Sequence, residues 1–225
     1  MFIYQNNNKD ICINFENNRP NLLPDYSLSV RNNKLFINGI EIPELTKNIV
    51  EADYQVPTGG EVINSAVGIY LNNKTISAID DTAGDGVFHV VAGGSLTIDG
   101  NGCINGVGNN NYNMAIWADG GNVTINNGKF TNIGATADID PIHFDLIYAK
   151  NGSVVEINGG YFECETPKWT LNSHDTNKGT FIVKGGTFYK YDPSNAETEP
   201  GGIVNFVAPG YKVIKDGNLY TVVKN

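Results

Sequence analysis

The sequence is poor in arginine and in charged residues of either sign. Only two of its 225 residues are arginine, charged residues make up 17% of the chain, and the net charge is −9. Proteins that bind nucleic acids need a basic face, so this composition argues against a nucleic-acid partner. Long runs rich in Ala, Leu, Glu and Lys are also absent, which excludes helical bundles and coiled coils.

Cysteine and long apolar runs are scarce as well. The three cysteines (Cys12, Cys103 and Cys164) cannot all be paired and are too scattered for a zinc site, so we expect reduced thiols. No stretch approaches the 18 apolar residues of a membrane-spanning helix, and residues 1–20 lack the basic and apolar regions of a signal peptide. The sequence therefore predicts synthesis in a cytoplasm and no membrane partner.

Two turn-forming residues are abundant instead. The chain holds 26 Gly and 32 Asn, which together make up about a quarter of it. Apolar residues reach 40% and aromatic residues 10%, a composition that excludes intrinsic disorder. The length suits one domain with a small appendage. We therefore expect an all-β protein with many turns.

A repeated segment organises most of the chain. Each copy has a Gly, an apolar-x-apolar pair, a Gly/Asn turn and then an aromatic or aliphatic residue, as in GGSLTIDGNGCI, GGNVTINNGKF, NGSVVEINGGYF and KGTFIVKGGTF. Weaker copies extend the pattern in both directions. The apolar pairs begin at six positions: Ile69, Leu96, Val123, Val155, Phe181 and Tyr211. Their mean spacing is about 28 residues, which is typical of a repeat architecture.

The repeat predicts three short strands per copy. Apolar residues at x and x+2 indicate a strand with one buried face, and the Gly/Asn turn leads to a second strand. A third apolar run follows in each copy: VFHVV (87–91), MAIW (114–117), FDLIY (144–148), WTL (169–171) and IVNF (203–206). We expect a parallel β-helix of about six rungs, with interior ladders formed by like residues: Ile98, Ile125, Ile157 and Val183 in one, and Phe130, Phe162 and Phe188 in another.

Two other all-β folds fit less well. A β-sandwich gives no reason for like residues to recur at like positions. A β-propeller blade needs about 40 residues and four strands, more than this period supplies.

The two ends depart from the repeat. Residues 1–45 are expected to form an N-terminal β module of hairpins around Asn-rich turns, which caps the first rung or anchors the protein to a partner. Residues 46–64 are assigned as a linker or entry segment, and residues 65–225 as the β-helix. Asp216-Gly217 lies between alternating apolar runs, which predicts a C-terminal hairpin cap.

These segments resemble a known superfamily. The stretch LTIDGNGCINGVG (96–108) and the GG-x-V-T-I-x-N-G-x-F rungs are similar to the pectin-lyase-like right-handed parallel β-helix proteins, over roughly residues 65–223. That superfamily contains pectate lyases, polygalacturonases, bacterial adhesins and phage tailspikes and fibres. The chain looks most like a phage virion protein, such as a head fibre or decoration protein. The resemblance thus implies right-handed winding and an N-terminal virion anchor.

The catalytic signatures of the superfamily are missing. Polysaccharide-cleaving members use carboxylate pairs with a catalytic Arg or Lys. Both arginines of this chain, Arg19 and Arg31, precede the repeats, and the Gly-His-Gly and Arg-x-Lys signatures are absent. Asp80-Asp81 resembles the paired aspartates of polygalacturonases, but the pair falls in a turn and is interpreted as solvated. No catalytic residue is assigned.

Two groups of residues are candidates for ligand binding. One is the acidic cluster in the longest repeat, made up of Asp138, Asp140, His143 and Asp145. Its oxygen ligands suit Ca²⁺ or Mg²⁺, but the spacing of a calcium loop is absent, so we expect a solvated acidic loop and no metal or other cofactor. The other group lies at the corner where loop lengths vary most: Trp169, Tyr189 and Tyr191, with Tyr112. These rings either stack on sugars or on a neighbouring subunit, or shield their own core.

The expected function is that of a non-enzymatic structural protein of a phage virion. Its N-terminal module would dock to a capsid or tail protein, its β-helix would project outward, and copies would form a homo-oligomer. The alternative is a module that binds or cleaves a host surface glycan. A third possibility is an adhesin-like module.

Overall fold

The structure is a computed structural model that describes residues 49–78, 86–106, 114–133, 144–199 and 201–225. Before residue 49 it describes five strands. Within these parts of the chain the fold is all-β, and the single helical element is a 3-10 turn at Pro167–Trp169. The all-β class predicted from composition is confirmed.

Three parallel sheets wind along the chain as a β-solenoid of about four turns. The first, sheet I, contains β7 (Glu61–Ile63), β10 (Phe88–Val91), β13 (Ile116–Asp119), β16 (Ile147–Lys150) and β19 (Leu171–Ser173). Sheet II contains β8 (Ala66–Tyr70), β11 (Ser95–Asp99), β14 (Asn122–Ile125), β17 (Val154–Ile157) and β20 (Thr180–Val183). Sheet III contains β6 (Tyr54–Gln55), β9 (Thr75–Ser77), β12 (Cys103–Asn105), β15 (Lys129–Asn132), β18 (Tyr161–Cys164) and β21 (Thr187–Tyr189).

The predicted interior ladders are confirmed. In sheet II the register aligns one apolar residue per coil, and each is buried: Ile69, Ile98, Ile125, Ile157 and Val183. In sheet III the rings of Phe130, Phe162 and Phe188 stack with centroids 5.1 and 4.7 Å apart. Each residue therefore packs on its counterpart in the next coil.

The glycine-rich corners serve the close approach of successive coils. A Cβ built on Gly159 would lie 2.4 Å from the carbonyl oxygen of Asn126 in the preceding coil. Gly160 beside it has a φ of 106°, a conformation that L side chains rarely adopt. Turn residues therefore occupy the corner between sheets II and III, as the repeat predicted.

The count of six rungs is not confirmed, because the last copy of the repeat folds differently. Residues from Tyr211 onward form an antiparallel hairpin of β24 (Tyr211–Asp216) and β25 (Leu219–Lys224), and β25 pairs antiparallel with β21. The predicted C-terminal hairpin around Asp216-Gly217 is thus confirmed. The run IVNF does not join sheet I; its first two residues form β23 (Ile203–Val204), antiparallel to β22 (Ala196–Glu197).

The third strands begin one to three residues later than predicted, at Phe88, Ile116, Ile147 and Leu171. At WTL the reason is that Trp169 belongs to the 3-10 turn. At the other end, β6 and β7 pair in parallel with β9 and β10. Parallel pairing therefore begins inside the segment assigned to 46–64.

The five strands before residue 49 form a separate antiparallel sheet in chain order. They are β1 (Phe2–Gln5), β2 (Ile11–Asn14), β3 (Leu28–Arg31), β4 (Lys34–Ile37) and β5 (Ile40–Glu41). The pairs β1–β2 and β3–β4 lie where the two Asn-rich hairpins were predicted.

The stacked phenylalanines give a direct test of the solenoid interior. Phe162 is fully buried between Phe130 and Phe188, so Phe162→Ala should lower the free energy of unfolding by about 3–5 kcal/mol. Glu163→Ala, the outward neighbour on the same strand, should cost less than about 1 kcal/mol. Urea unfolding measures both, and equal losses would contradict the inward and outward assignment.

Candidate ligand-binding site

The outward face of sheet I carries a column of ring side chains, here called the aromatic column: His89, Trp117 and Tyr148. The register places one of them on each of three successive coils. The rings of His89 and Trp117 stack with centroids 3.9 Å apart and planes within 2°. Lys150 Nζ lies 4.4 Å from the centroid of the Trp117 ring. The column therefore combines aromatic surface with polar ring atoms.

A charged group lies beside this column. The carboxylate of Asp119 accepts a hydrogen bond from Asn151 Nδ2 at 2.6 Å and lies 3.3 Å from His89 Nε2 and 3.5 Å from Lys150 Nζ. Burial alone would raise the pKa of Asp119, but these hydrogen bonds and the charge of Lys150 lower it below its ordinary value. Asp119 is therefore a fixed negative charge on this face.

A second polar group lies where sheet I meets the next corner, and we call it the Asn172 cluster: Asp145, Asn172 and Glu199. The amide nitrogen of Asn172 donates to Asp145 Oδ1 and to Glu199 Oε1, both at 2.8 Å. The two carboxyl oxygens are thus no farther apart than twice that distance. Asn172 is fully buried and Asp145 is 5% exposed, whereas Glu199 is half-buried. The cluster therefore runs from the interior to the surface.

Buried side chains of sheet III hold the backbone that carries Asp145. Asn132 on β15 donates from Nδ2 to the Asp145 carbonyl oxygen at 2.7 Å. Cys164 on β18 donates from Sγ to the Phe144 carbonyl oxygen at 2.9 Å. These bonds fix the chain where it re-enters the regular coil at β16, so the Asp145 carboxyl has a defined position.

The electrostatics of the cluster are dominated by burial. Burial, together with the charge of Glu199, raises the pKa of Asp145 from 3.8 to about 8, although the hydrogen bond from Asn172 opposes the change. Burial, the charges of Glu199 and Asp175 and a hydrogen bond with Glu199 also raise the pKa of the Tyr148 phenol. Asp145 therefore holds a proton at neutral pH while Glu199 lies beside it.

Three buried polar atoms have no hydrogen-bond partner in the described part of the chain. They are Asn172 Oδ1, Asn132 Oδ1 and Trp117 Nε1. Such atoms are costly unless a ligand or water pairs with them. Two belong to residues that hydrogen-bond Asp145, and the third belongs to the aromatic column.

Only some of the predicted site residues fall in this region. Asp138, Asp140, His143 and Tyr112 lie outside the described residues, as does the Asp80-Asp81 pair. Asp145 is the one member of the predicted acidic cluster that is described, and it is buried rather than solvated.

The corner aromatics do not converge on a surface site. Trp169 is 5% exposed, and Tyr191 is 4% exposed with its hydroxyl donating to the Leu171 carbonyl oxygen at 3.2 Å. Tyr189 is half-buried, with Lys190 Nζ 5.1 Å from its ring centroid. Trp169 and Tyr191 are therefore buried residues, not exposed ligand contacts, which fits the interpretation that the rings shield their own core.

Sequence reasoning missed Asn172, Glu199 and Tyr148. Asn172 follows the predicted run WTL, and its register with Tyr148 depends on a strand that extends two residues beyond that run. Glu199 lies in the variable corner after β21, where the repeat gives no position. An acidic residue next to an apolar run, as in FDLIY, was the available signal, and it pointed only to Asp145.

The described residues contain no helix with the length and apolar character to span a membrane. Within the same ranges, no three His, Cys, Asp or Glu side chains converge as a metal-binding group.

No protein-family model matches the chain, and neither curated proteins nor solved structures give a significant match.

The protonated state of Asp145 predicts how stability depends on pH. The folded state keeps this proton up to about pH 8, whereas the unfolded chain releases it near 3.8. The unfolded state therefore binds fewer protons, and the free energy of unfolding should fall by up to about 1.4 kcal/mol per pH unit across this window. Asp145→Asn should remove that slope in urea unfolding measured at pH 5, 6.5 and 8.

Asp119→Asn provides the matched control. The pKa of Asp119 is lowered, so this carboxylate stays ionised in both states above pH 5. The variant should lose stability by the same amount at every pH and keep the wild-type slope. A wild-type slope in Asp145→Asn would contradict the assignment of the proton.

Proposed function

We propose that the chain is a non-enzymatic glycan-binding β-solenoid that uses the outward face of sheet I. The observation that carries this proposal is the aromatic column of His89, Trp117 and Tyr148, with Asp119 beside it and the Asn172 cluster at its end. Equivalent positions recur once per coil along this face. A regular row of polar groups suits a repeating polymer, because several weak contacts then act together.

The chemistry of the face favours hydrogen bonding over ring stacking. The faces of the His89 and Trp117 rings are turned toward each other, so the column offers ring edges and carboxylate oxygens to a ligand. The Tyr148 hydroxyl is hydrogen-bonded to Glu199, so a ligand would contact the two groups together. Sugar hydroxyls donate readily to carboxylates. Because Asp119, Glu199 and Asp175 repel anions, the proposed ligand is a neutral polysaccharide rather than an acidic one.

The phenol of Tyr148 gives the test. Tyr148→Phe removes one hydroxyl and should weaken binding to a neutral bacterial capsular polysaccharide by roughly fivefold in isothermal titration calorimetry. Tyr161→Phe is the control, because it removes a hydroxyl from the outward face of sheet III. Equal effects of the two variants, or tighter binding of an acidic polysaccharide, would contradict the proposed face.

The same incubation separates binding from cleavage. The chain length of the polysaccharide should stay unchanged, as expected of a module without a catalytic residue. Progressive shortening by the wild-type protein would establish the glycan-cleaving alternative instead.

A structural role in a phage virion is the second candidate function. Ile203 is 66% exposed and Ile214 is 50% exposed, near the C-terminal end of the solenoid. Exposed apolar residues of this size suit a covered interface with another virion protein or another copy of the chain. In this proposal the solenoid winds right-handed, as parallel crossover connections generally do, and residues 1–45 form the anchor.

Particle composition tests the second candidate. The chain should co-purify with intact particles through a density gradient and persist after a high-salt wash, since an apolar contact is not screened by salt. Recovery only in the soluble fraction of the infected cell would exclude a virion component and leave the glycan proposal unaffected.

A further inference from the structure

The strand β24 is the last strand of the eight-stranded sheet that sheet III forms with the C-terminal hairpin. Its six residues run antiparallel to β25. The other side of β25 is occupied, because β25 also pairs with β21. No strand of the described chain lies against the far side of β24. A strand of this length with a free edge is a template for pairing with another strand.

The alternation of hydrogen bonds determines which backbone groups of β24 point to the free edge. At the open end of the hairpin, the N–H of Asn225 donates to the Gly210 carbonyl oxygen at 2.9 Å. Bonded and non-bonded residues alternate along an antiparallel ladder, so the even-numbered residues of β24 bond to β25. The N–H and C=O groups of Val213 and Lys215 therefore point away from β25, to the free edge.

The outer face of β24 carries an exposed apolar side chain between two opposite charges. Lys212, Ile214 and Asp216 form this face, whereas Tyr211 and Val213 pack toward the core. Ile214 is 50% exposed, and the charged residues on either side of it are exposed as well. The sequence of this face is complementary to its own reverse, because a two-fold axis at Ile214 places each lysine opposite an aspartate.

We propose that the chain forms a two-fold dimer in which β24 pairs antiparallel with β24 of a second copy. Ile214 of one copy lies opposite Ile214 of the other, and Lys212 of each copy lies opposite Asp216 of the other. Val213 then lies opposite Lys215, so the backbone groups at the free edge supply the hydrogen bonds of the new pair. The two copies meet at their C-terminal ends, and their sheets become continuous.

The neighbouring registers fit this strand less well. With the axis at Val213, Lys212 lies opposite Ile214 and neither outer charge meets its opposite. That register also needs the N–H of Tyr211, which already donates to a backbone carbonyl oxygen of its own chain at 3.1 Å. With the axis at Lys215, two lysines lie directly opposite each other, which is destabilising. The axis at Ile214 is therefore the favoured one.

Lysine on an edge strand usually discourages pairing with other chains. On β24 this protection is selective. The charge of Lys212 is offset by Asp216 only when the incoming strand carries the same residues in reverse order. Lys215 is engaged within the hairpin, where its Nζ lies 5.0 Å from the centroid of the Tyr220 ring. The charges therefore favour a second copy of the chain over an unrelated strand.

Pairing through β24 names an occupant for the exposed Ile214, which the virion proposal left open between another protein and another copy. It requires neither proposed function, since oligomeric state is measured without a glycan or a virus particle. A monomeric chain would leave co-purification with particles and binding of polysaccharide to be decided by their own experiments. A dimer would carry two aromatic columns, which increases avidity for a repeating polymer where both can engage it.

Sedimentation of the full chain in the analytical ultracentrifuge tests the dimer. Over a roughly hundredfold range of concentration, the wild type should pass from the mass of one 24.4 kDa chain to twice that mass. Lys212→Glu places two acidic groups opposite each other at both ends of the pairing and should raise the dissociation constant by roughly tenfold or more. Lys224→Glu is the matched control, because it makes the same change of net charge at an exposed position of β25, away from the free edge. It should dimerise as the wild type does.

Exchanging the two charges separates pairing from a loss of fold. Asp216→Lys alone should weaken the dimer as Lys212→Glu does, whereas the two substitutions together restore opposite charges and should bring the dissociation constant back to within about threefold of the wild-type value. A wild type that stays monomeric throughout would overturn the proposal. The same holds if the double variant dimerises no better than the single variants, or if Lys212→Glu dimerises as tightly as the wild type, since another surface would then form the dimer.

Discussion

Parallel, in-register stacking is the constraint on which the rest of this structure depends. Each side chain in a coil packs on the residue at the same position one coil away, so every position must hold a residue that tolerates its own kind as a neighbour. Apolar residues meet this condition in the interior, as the isoleucine ladder of sheet II and the stacked phenylalanines of sheet III show. This packing requirement explains why like residues recur at like positions in the sequence.

The same constraint shapes the exterior, where like charges must not stack. Neutral amides meet it by pairing with one another, as Asn158 Nδ2 does with Asn126 Oδ1 at 3.1 Å. Elsewhere opposite charges lie one coil apart, as in the pair of Lys184 and Glu156 at 2.8 Å. The Asn172 cluster departs from both solutions, because one amide separates two acidic groups. A proton bound to Asp145 removes one of the two charges at this cluster.

The regular coils were predictable and the site was not, for one physical reason. Interior ladders depend only on local period-2 patterns repeated at a fixed interval, which Leu96 to Ile98 and Val123 to Ile125 display directly in the sequence. Six rungs were predicted because Tyr211 and Val213 show the same period-2 pattern. The prediction failed because a strand of an antiparallel hairpin with one packed face has that period as well. The strand pattern does not distinguish a parallel from an antiparallel partner.

The position of the Asn172 cluster depends instead on the length and path of the corner segments that connect one coil to the next. Asp145 follows one long insertion and Glu199 lies in another, so neither has a fixed offset from the repeat. Their positions are set by bonds from regular strands, such as those of Asn132 and Cys164 to the backbone at Asp145 and Phe144. Rigid coils thus hold variable corners, and a binding site at such a corner can change with insertion length while the ladders beneath it stay the same.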